Sequence, residues 1–139
     1  MISRPGKSFP RPAPTEPASE SAAPLDLADL MERCLGHLEL AERLLKSFES
    51  RFWPEVLQLE EALAAEDREQ VSQVAHRLKG ASANVSACAL GQIMSLIEQA
   101  SRCGRLHEVA QQLQRLPREW DNFTRFRASL SQAPPAGGQ

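Results

Sequence analysis

Residues 71–87 read Val-Ser-Gln-Val-Ala-His-Arg-Leu-Lys-Gly-Ala-Ser-Ala-Asn-Val-Ser-Ala and predict the amphipathic helix on which the fold depends. Apolar residues recur there at spacings of three and four, the period of one face of an α-helix. This predicted core stripe comprises Val71, Val74, Ala75, Leu78, Ala81 and Val85. His76 lies roughly 200° around the helix from Leu78, at about 100° per residue, so its imidazole is predicted to face water.

Lys79 and Gly80 follow His76 at the i+3 and i+4 spacings and are predicted to share its exposed face. Glycine inside a helix costs about 0.8–1 kcal/mol relative to alanine, so we expect a gain elsewhere, and close approach of another protein is such a gain. An exposed nucleophile, a neighbouring cation and a position without a side chain are what phosphoryl transfer between proteins requires.

Composition points to one modest helical domain. The 139 residues are 42% hydrophobic and 24% charged, with 5% aromatic residues and no tyrosine. The formal net charge of −2 argues against nucleic acid as a partner. No apolar run approaches the roughly 20 residues that span a bilayer, and no signal-peptide core is visible, so a cytoplasmic protein without membrane insertion is predicted.

The cysteines and histidines carry no metal or disulfide pattern. The odd, widely spaced cysteines are predicted to be buried reduced thiols: Cys34, Cys88 and Cys103. The histidines lack the spacing of metal ligands, so no metal site is predicted: His37, His76 and His107.

The flanking sequence predicts a short helix and then a long one. Asp26 is the predicted N-cap of the short helix, which Gly36 ends. Its inward-facing residues are predicted to be Leu27, Leu30, Met31 and Cys34. The long helix begins at His37 and continues through Pro54 as one kinked helix, because the apolar stripe keeps its phase across the proline.

Three further helices are predicted from capping signals. Asp67 with Gln70 resembles a capping box at the start of the central helix. Ser86 is the predicted N-cap of the next helix, which ends near Gly104 and turns inward Leu90, Ile93, Met94, Ile97 and Ala100. The last helix runs from Leu106 to Leu130, with a kink or break expected at Pro117.

Four long amphipathic helices joined by short turns predict an all-α, antiparallel, up-down four-helix bundle with a short extra N-terminal helix. The bundle is assigned to residues 25–131. Residues 1–24 hold six prolines and are predicted to be a disordered linker, and residues 132–139 a disordered tail.

The central stretch also resembles a known family. Its motif is His76-Arg-Leu-Lys79-Gly80-Ala-Ser-Ala-Asn84, followed by Leu90 and by Leu96-Ile-Glu98 before Arg102 and Gly104. This is similar to the signature of histidine-containing phosphotransfer (HPt) domains, His-x-Leu-Lys-Gly followed by two small residues. The resemblance covers roughly residues 27–130.

The resemblance implies that His76 accepts a phosphoryl group from the aspartyl phosphate of a response-regulator receiver domain and passes it to another. Such domains are freestanding or form the last module of a hybrid sensor histidine kinase, and the proline-rich leader favours a fragment of a larger kinase. The chain is then a monomeric phosphocarrier rather than an independent enzyme, without autokinase activity or a cofactor of its own, and the receiver supplies Mg²⁺. A histidine in water is mostly neutral at cytosolic pH, so the nucleophile needs no catalytic base, and Lys79 offsets phosphoryl charge.

Three positions remain open at this stage. Glu98 either hydrogen-bonds the imidazole, as a polar family residue does, or is a solvated helix residue. Ser82 either contacts Lys79 or the phosphoryl group, or is a buried small residue. Ser86 replaces the glycine usual in the family, which costs roughly 1–2 kcal/mol if the turn is left-handed and is favourable if it only caps a helix.

The alternative function is a helical adaptor that binds a receiver or kinase domain through the same face without carrying phosphate.

Overall fold

The computed structural model describes residues 24–132, and all regular structure in that range is helical. The helices of these described residues are α1 Leu27–Arg33, α2 Leu38–Ala64, α3 Arg68–Asn84, α4 Cys88–Arg102, α5 Leu106–Leu113 and α6 Leu116–Gln132. The predicted linker and tail lie outside the described residues, apart from Pro24 and Gln132. None of the described helices combines the length and the apolar character that crossing a membrane requires.

The helices pack as the predicted bundle. Its most extensive contact joins α3 and α4, α2 covers the other side of α3, and α5 with α6 packs on α4. The short helix α1 starts beside the α3–α4 turn, where the amide of Asp26 donates to the Ser86 carbonyl at 2.9 Å. Asp26 caps α1 as predicted, because its side chain accepts from the Asp29 amide. The all-α bundle with an extra N-terminal helix is therefore confirmed.

Helix α2 continues through Pro54 without a break, as its uninterrupted apolar stripe predicted. Its buried face includes Phe48 and Phe52, which pack against aromatic residues of α6. The rings of Phe52 and Trp120 stack with centroids 4.6 Å apart, and Trp53 meets the Trp120 ring edge-on at 5.8 Å. This aromatic cluster fixes α6 against the middle of α2.

The segment predicted to form the last helix consists of two helices, and the break lies before Pro117 rather than at it. Helix α5 ends at Leu113 and α6 begins at Leu116, so Pro117 is the second residue of α6 rather than the break point. Proline has no N–H to donate, and amides in the first turn of a helix lack partners inside that helix. The chain therefore breaks one turn before the proline and restarts where the proline is tolerated.

The α3–α4 turn needs a left-handed residue, and Ser86 supplies it with φ +59°. The Ser86 amide donates to Ala83 and the Ala87 amide to Ser82, the two hydrogen bonds of a Schellman motif. The prediction that Ser86 caps α4 was wrong, because Ala87 occupies the cap position. The Ser86 hydroxyl instead donates to Asp29 Oδ2 at 2.6 Å, which helps to offset the left-handed strain.

Two burial predictions were also wrong. Ala81 is exposed because α2 does not close over it, and it lines an open groove of about 320 Å³ between α2 and α3. Only one cysteine of the three is buried, Cys34, whereas Cys88 and Cys103 are exposed at the two ends of α4. Cys88 is the first residue of α4 and Cys103 is its C-cap, so both lie at its termini rather than on its buried face.

Candidate functional site

Helix α3 exposes His76 by burying the opposite face. Asp67 begins the helix, with its carboxylate accepting from the Gln70 amide at 3.2 Å, as the capping signal predicted. The buried residues of the stripe are Val71, Val74, Ala75, Leu78 and, at the C-cap, Val85. The side chain of His76 is 66% exposed as a result. The predicted water-facing imidazole is therefore present in the structure.

Lys79 and Gly80 lie one turn further along the exposed surface. The Lys79 side chain turns toward α4, where its Nζ is 2.9 Å from Glu98 Oε1. Gly80 is exposed, and a Cβ atom added there would meet nothing within 4 Å. Packing inside the bundle therefore does not require glycine at this position.

Glu98 of α4 contacts two side chains of α3, the imidazole of His76 and the ammonium group of Lys79. Its side chain is only 4% exposed, and Oε2 lies 3.0 Å from His76 Nδ1. Of the two roles left open by the sequence, the hydrogen bond to the imidazole is the one observed. Glu98 lies four residues after Met94 on the buried face of α4, so its phase with the apolar stripe was the signal of its burial.

Glu98 is ionised because the groups around its carboxyl lower its pKa more than burial raises it. Burial alone raises the pKa of the Glu98 carboxyl, but the hydrogen bonds from Lys79 and His76 and the charges of Lys79 and Arg102 lower it below its ordinary value. An ionised carboxylate can only accept hydrogen bonds. The hydrogen-bond network therefore assigns the proton of a neutral His76 ring to Nδ1, which leaves the Nε2 lone pair free.

Ser82 does not join this group. It is buried, and its hydroxyl donates to the Leu78 carbonyl within α3 at 2.8 Å. A Cβ atom added to Gly91 of α4 would lie 3.5 Å from the Ser82 Cβ, an ordinary van der Waals distance, so Ser82 lies against α4 at this point. The buried-residue interpretation of Ser82 fits this geometry.

Arg102 is the member of the site to which the sequence assigned no role. Its Nη2 donates to Glu98 Oε2 at 2.6 Å from one turn further along α4. The i+4 spacing of an acid and a base on one helix was the available signal. We define the Glu98 cluster as Glu98, His76, Lys79 and Arg102.

The remaining histidines, His37 at the start of α2 and His107 in α5, are both exposed. Within the described residues, no group of three or more His, Cys, Asp or Glu side chains is placed to hold a metal ion.

Comparison with known protein families agrees with this geometry. A family model, the Hpt domain, matches residues 27–133, which is well over half of the chain. The chain belongs to the Hpt domain family. Hpt domains act in histidine phosphotransfer in two-component signalling and work with response-regulator receiver domains and kinases. No curated protein and no solved structure matches the Hpt chain significantly.

Proposed function

We propose that this Hpt domain carries a phosphoryl group on Nε2 of His76, which it accepts from the aspartyl phosphate of a receiver domain and passes to another receiver. The Nε2 lone pair forms the new bond to phosphorus. The bond from phosphorus to the aspartyl oxygen breaks, and its electron pair leaves with the aspartate carboxylate. The observation that carries the proposal is an exposed imidazole whose Nδ1 is held by a buried carboxylate at 3.0 Å.

Glu98 supports both the orientation and the charge of the ring. By accepting from Nδ1, it turns Nε2 outward, where a partner reaches it. Attack through Nε2 with the proton retained on Nδ1 places positive charge on the ring, and a carboxylate at hydrogen-bond distance stabilises that charge. Glu98 therefore acts as a positioning and electrostatic partner of His76.

Lys79 supplies positive charge to the phosphoryl group. Its side chain is 39% exposed while Nζ contacts Glu98, so the ammonium lies at the boundary between the buried carboxylate and solvent. An ammonium group is a compact point charge with three donors, which suits phosphate oxygens. Transfer then requires little from the Hpt domain beyond positioning and electrostatics.

The surface beyond His76 admits a partner. Gly80 and Ala83 are exposed on α3 and present no long side chain between the imidazole and the end of the helix. The Glu98 cluster has more cationic groups than acids, which complements an acidic, phosphate-bearing receiver pocket. A carboxylate already held by three basic groups does not suit a divalent cation, so we assign Mg²⁺ to the receiver. In this proposal the domain is a monomer without autokinase activity, either freestanding or the last module of a hybrid sensor histidine kinase.

The test is transfer of radioactive phosphate from a panel of phosphorylated receiver domains. We expect label on the wild-type protein that is labile in acid and stable in base, as a phosphohistidine is. His76→Gln should remove all of the label. His107→Gln replaces another exposed histidine in the same way and should retain it.

Two outcomes contradict the proposal. Label that persists in His76→Gln places the phosphoryl group elsewhere. A receiver that binds the wild-type protein while no receiver of the panel ever transfers label to it favours the adaptor function instead.

A further inference from the structure

The two oxygens of Glu98 are shared unequally among its partners. Oε1 accepts from Lys79 at 2.9 Å. Oε2 accepts from both His76 Nδ1 at 3.0 Å and Arg102 Nη2 at 2.6 Å. The guanidinium and the imidazole therefore share one oxygen, and the guanidinium makes the shorter contact.

A buried carboxylate with no other partner would work against the nucleophile. Such a group favours the protonated form of a neighbouring imidazole, because opposite charges attract strongly where water is excluded. A protonated ring has no lone pair on Nε2 and cannot attack phosphorus. A carboxylate that orients an imidazole without other partners therefore also favours the form of the ring that cannot react.

Lys79 and Arg102 counter this tendency. With a neutral imidazole, the Glu98 cluster already carries a net charge of plus one, from one carboxylate and two permanent cations. Protonation of His76 would raise this charge to plus two. The second cation therefore makes protonation less favourable than it would be beside a carboxylate paired with Lys79 alone.

The charged residue next to His76 on α3 is paired with an acid of α2. On α3 the adjacent Arg77 extends toward α2, where its Nε lies 3.3 Å from Glu55 Oε1. Glu55, the acid of α2 on this side, also lies 3.9 Å from the Arg51 guanidinium. Among the described residues, the ionic contact of the imidazole is with Glu98, whose other ionic partners are Lys79 and Arg102.

We infer that Arg102 is a positioning residue for His76 that acts through Glu98, by occupying the oxygen shared with Nδ1 and keeping the imidazole neutral. The inference rests on the proposed function of His76 as the phosphoryl carrier. It adds a residue whose guanidinium is separated from the reacting nitrogen by the carboxylate. It also explains why the buried acid has two permanent cationic partners when one would neutralise it.

The test is a nuclear magnetic resonance titration of the His76 ring nitrogens in the unphosphorylated protein. In Arg102→Gln we expect protonation to occur at higher pH, with a roughly threefold larger ratio of protonated to neutral rings at fixed pH, about half a pH unit. Arg102→Lys keeps the charge and should restore most of the wild-type behaviour. The acid limb of the transfer rate should move to higher pH in step with the ring.

Matched variants separate this inference from general charge effects. Arg105→Gln removes an equally exposed arginine just beyond α4, which pairs with Glu108, and should shift the titration much less. In a Glu98→Gln background, Arg102→Gln should have little further effect. An unchanged titration in Arg102→Gln, an equal shift in Arg105→Gln, or a full effect without the Glu98 carboxylate each overturns the inference.

The titration does not depend on transfer. If no receiver transfers phosphate, the proposed function fails, while the effect of Arg102 on the ring is still measured.

Discussion

Two charged side chains among the described residues, one buried and one largely buried, are organised in opposite ways. In the Glu98 cluster a buried acid of α4 binds basic groups that reach solvent. On α6 the reverse occurs, because Arg127, 11% exposed, binds two acids of α2. Its guanidinium lies 2.8 Å from Glu42 and 3.0 Å from Glu49. We call these three side chains the Arg127 cluster.

The comparison separates a structural role from a chemical one. Both buried charges are paired, as burial requires. The Arg127 cluster links α6 to α2 and contains no nucleophile. The Glu98 cluster includes an imidazole that is two-thirds exposed, so its pairing also controls a reactive atom. Changes in the first cluster should therefore affect stability, and changes around the second should affect transfer.

The largest expected effect is on transfer, from a change beside the Glu98 cluster. Gly80→Gln should slow transfer from a receiver on the order of 100-fold, because a long side chain next to His76 obstructs docking. The same change should leave stability unchanged or raise it by about 0.5 kcal/mol, since glutamine is a better helix former and the site has room for a Cβ atom.

Transfer kinetics and chemical denaturation of the same Gly80→Gln sample test this. Transfer at the wild-type rate would remove Gly80 from the docking face. A marked loss of stability would show that the glycine serves packing instead.

The next effect is on stability, from the Arg127 cluster. Arg127→Met should lower the free energy of unfolding by about 2 kcal/mol, less than for a fully buried pair because the acids left behind are partly exposed. Arg125→Met breaks an exposed pair with Asp121 on the same helix and should change stability by less than about 0.5 kcal/mol. Urea denaturation measures both. Slower transfer by folded Arg127→Met protein would contradict the purely structural role of the Arg127 cluster.

A smaller effect concerns the α3–α4 turn. Ser86→Ala and Ser86→Gly both remove the hydroxyl that binds Asp29, but only alanine keeps a Cβ atom in the left-handed conformation. Ser86→Ala should therefore be less stable than Ser86→Gly, by about 1 kcal/mol. Equal stabilities by thermal denaturation would mean that the turn is not strained.

The smallest effect is a change in how stability depends on pH. The folded state lowers the pKa of Glu98 from its ordinary 4.5, so the unfolded chain takes up the proton first as pH falls. The stability due to this ionisation is complete above about pH 4.5 and is lost as pH falls through the lower folded value. Glu98→Gln lacks this term, so its unfolding free energy should fall less steeply below pH 4.5 than that of the wild type. Parallel pH profiles would contradict the assignment.

The sequence predicted the helices well because their signals are local. Apolar spacing identified α2, α3 and α4, and two aspartates marked the starts of α1 and α3. The direction of the His76 side chain followed from the same spacing, since a buried stripe on one face of α3 requires an exposed face opposite.

What the sequence left open depends on contacts between helices. Ala81 fits the stripe of α3 but faces a groove, because the separation of α2 and α3 is a tertiary property. The role of Glu98 required knowing which α3 residues lie beside α4. The left-handed conformation of Ser86 could not be predicted for a related reason. Its strain is offset by a hydrogen bond to Asp29 of α1, a helix that is distant in the sequence. The break before Pro117 shows that a proline can end a helix one turn upstream.

The central claim is that His76 carries the phosphoryl group on Nε2 while Glu98 holds Nδ1. A two-bond proton–nitrogen spectrum of the ¹⁵N-labelled protein, recorded after phosphorylation by a receiver domain, tests it directly. The account predicts one phosphorylated histidine, His76, with phosphorus on Nε2 and the proton on Nδ1. Phosphorus on Nδ1, or on another residue, would contradict it.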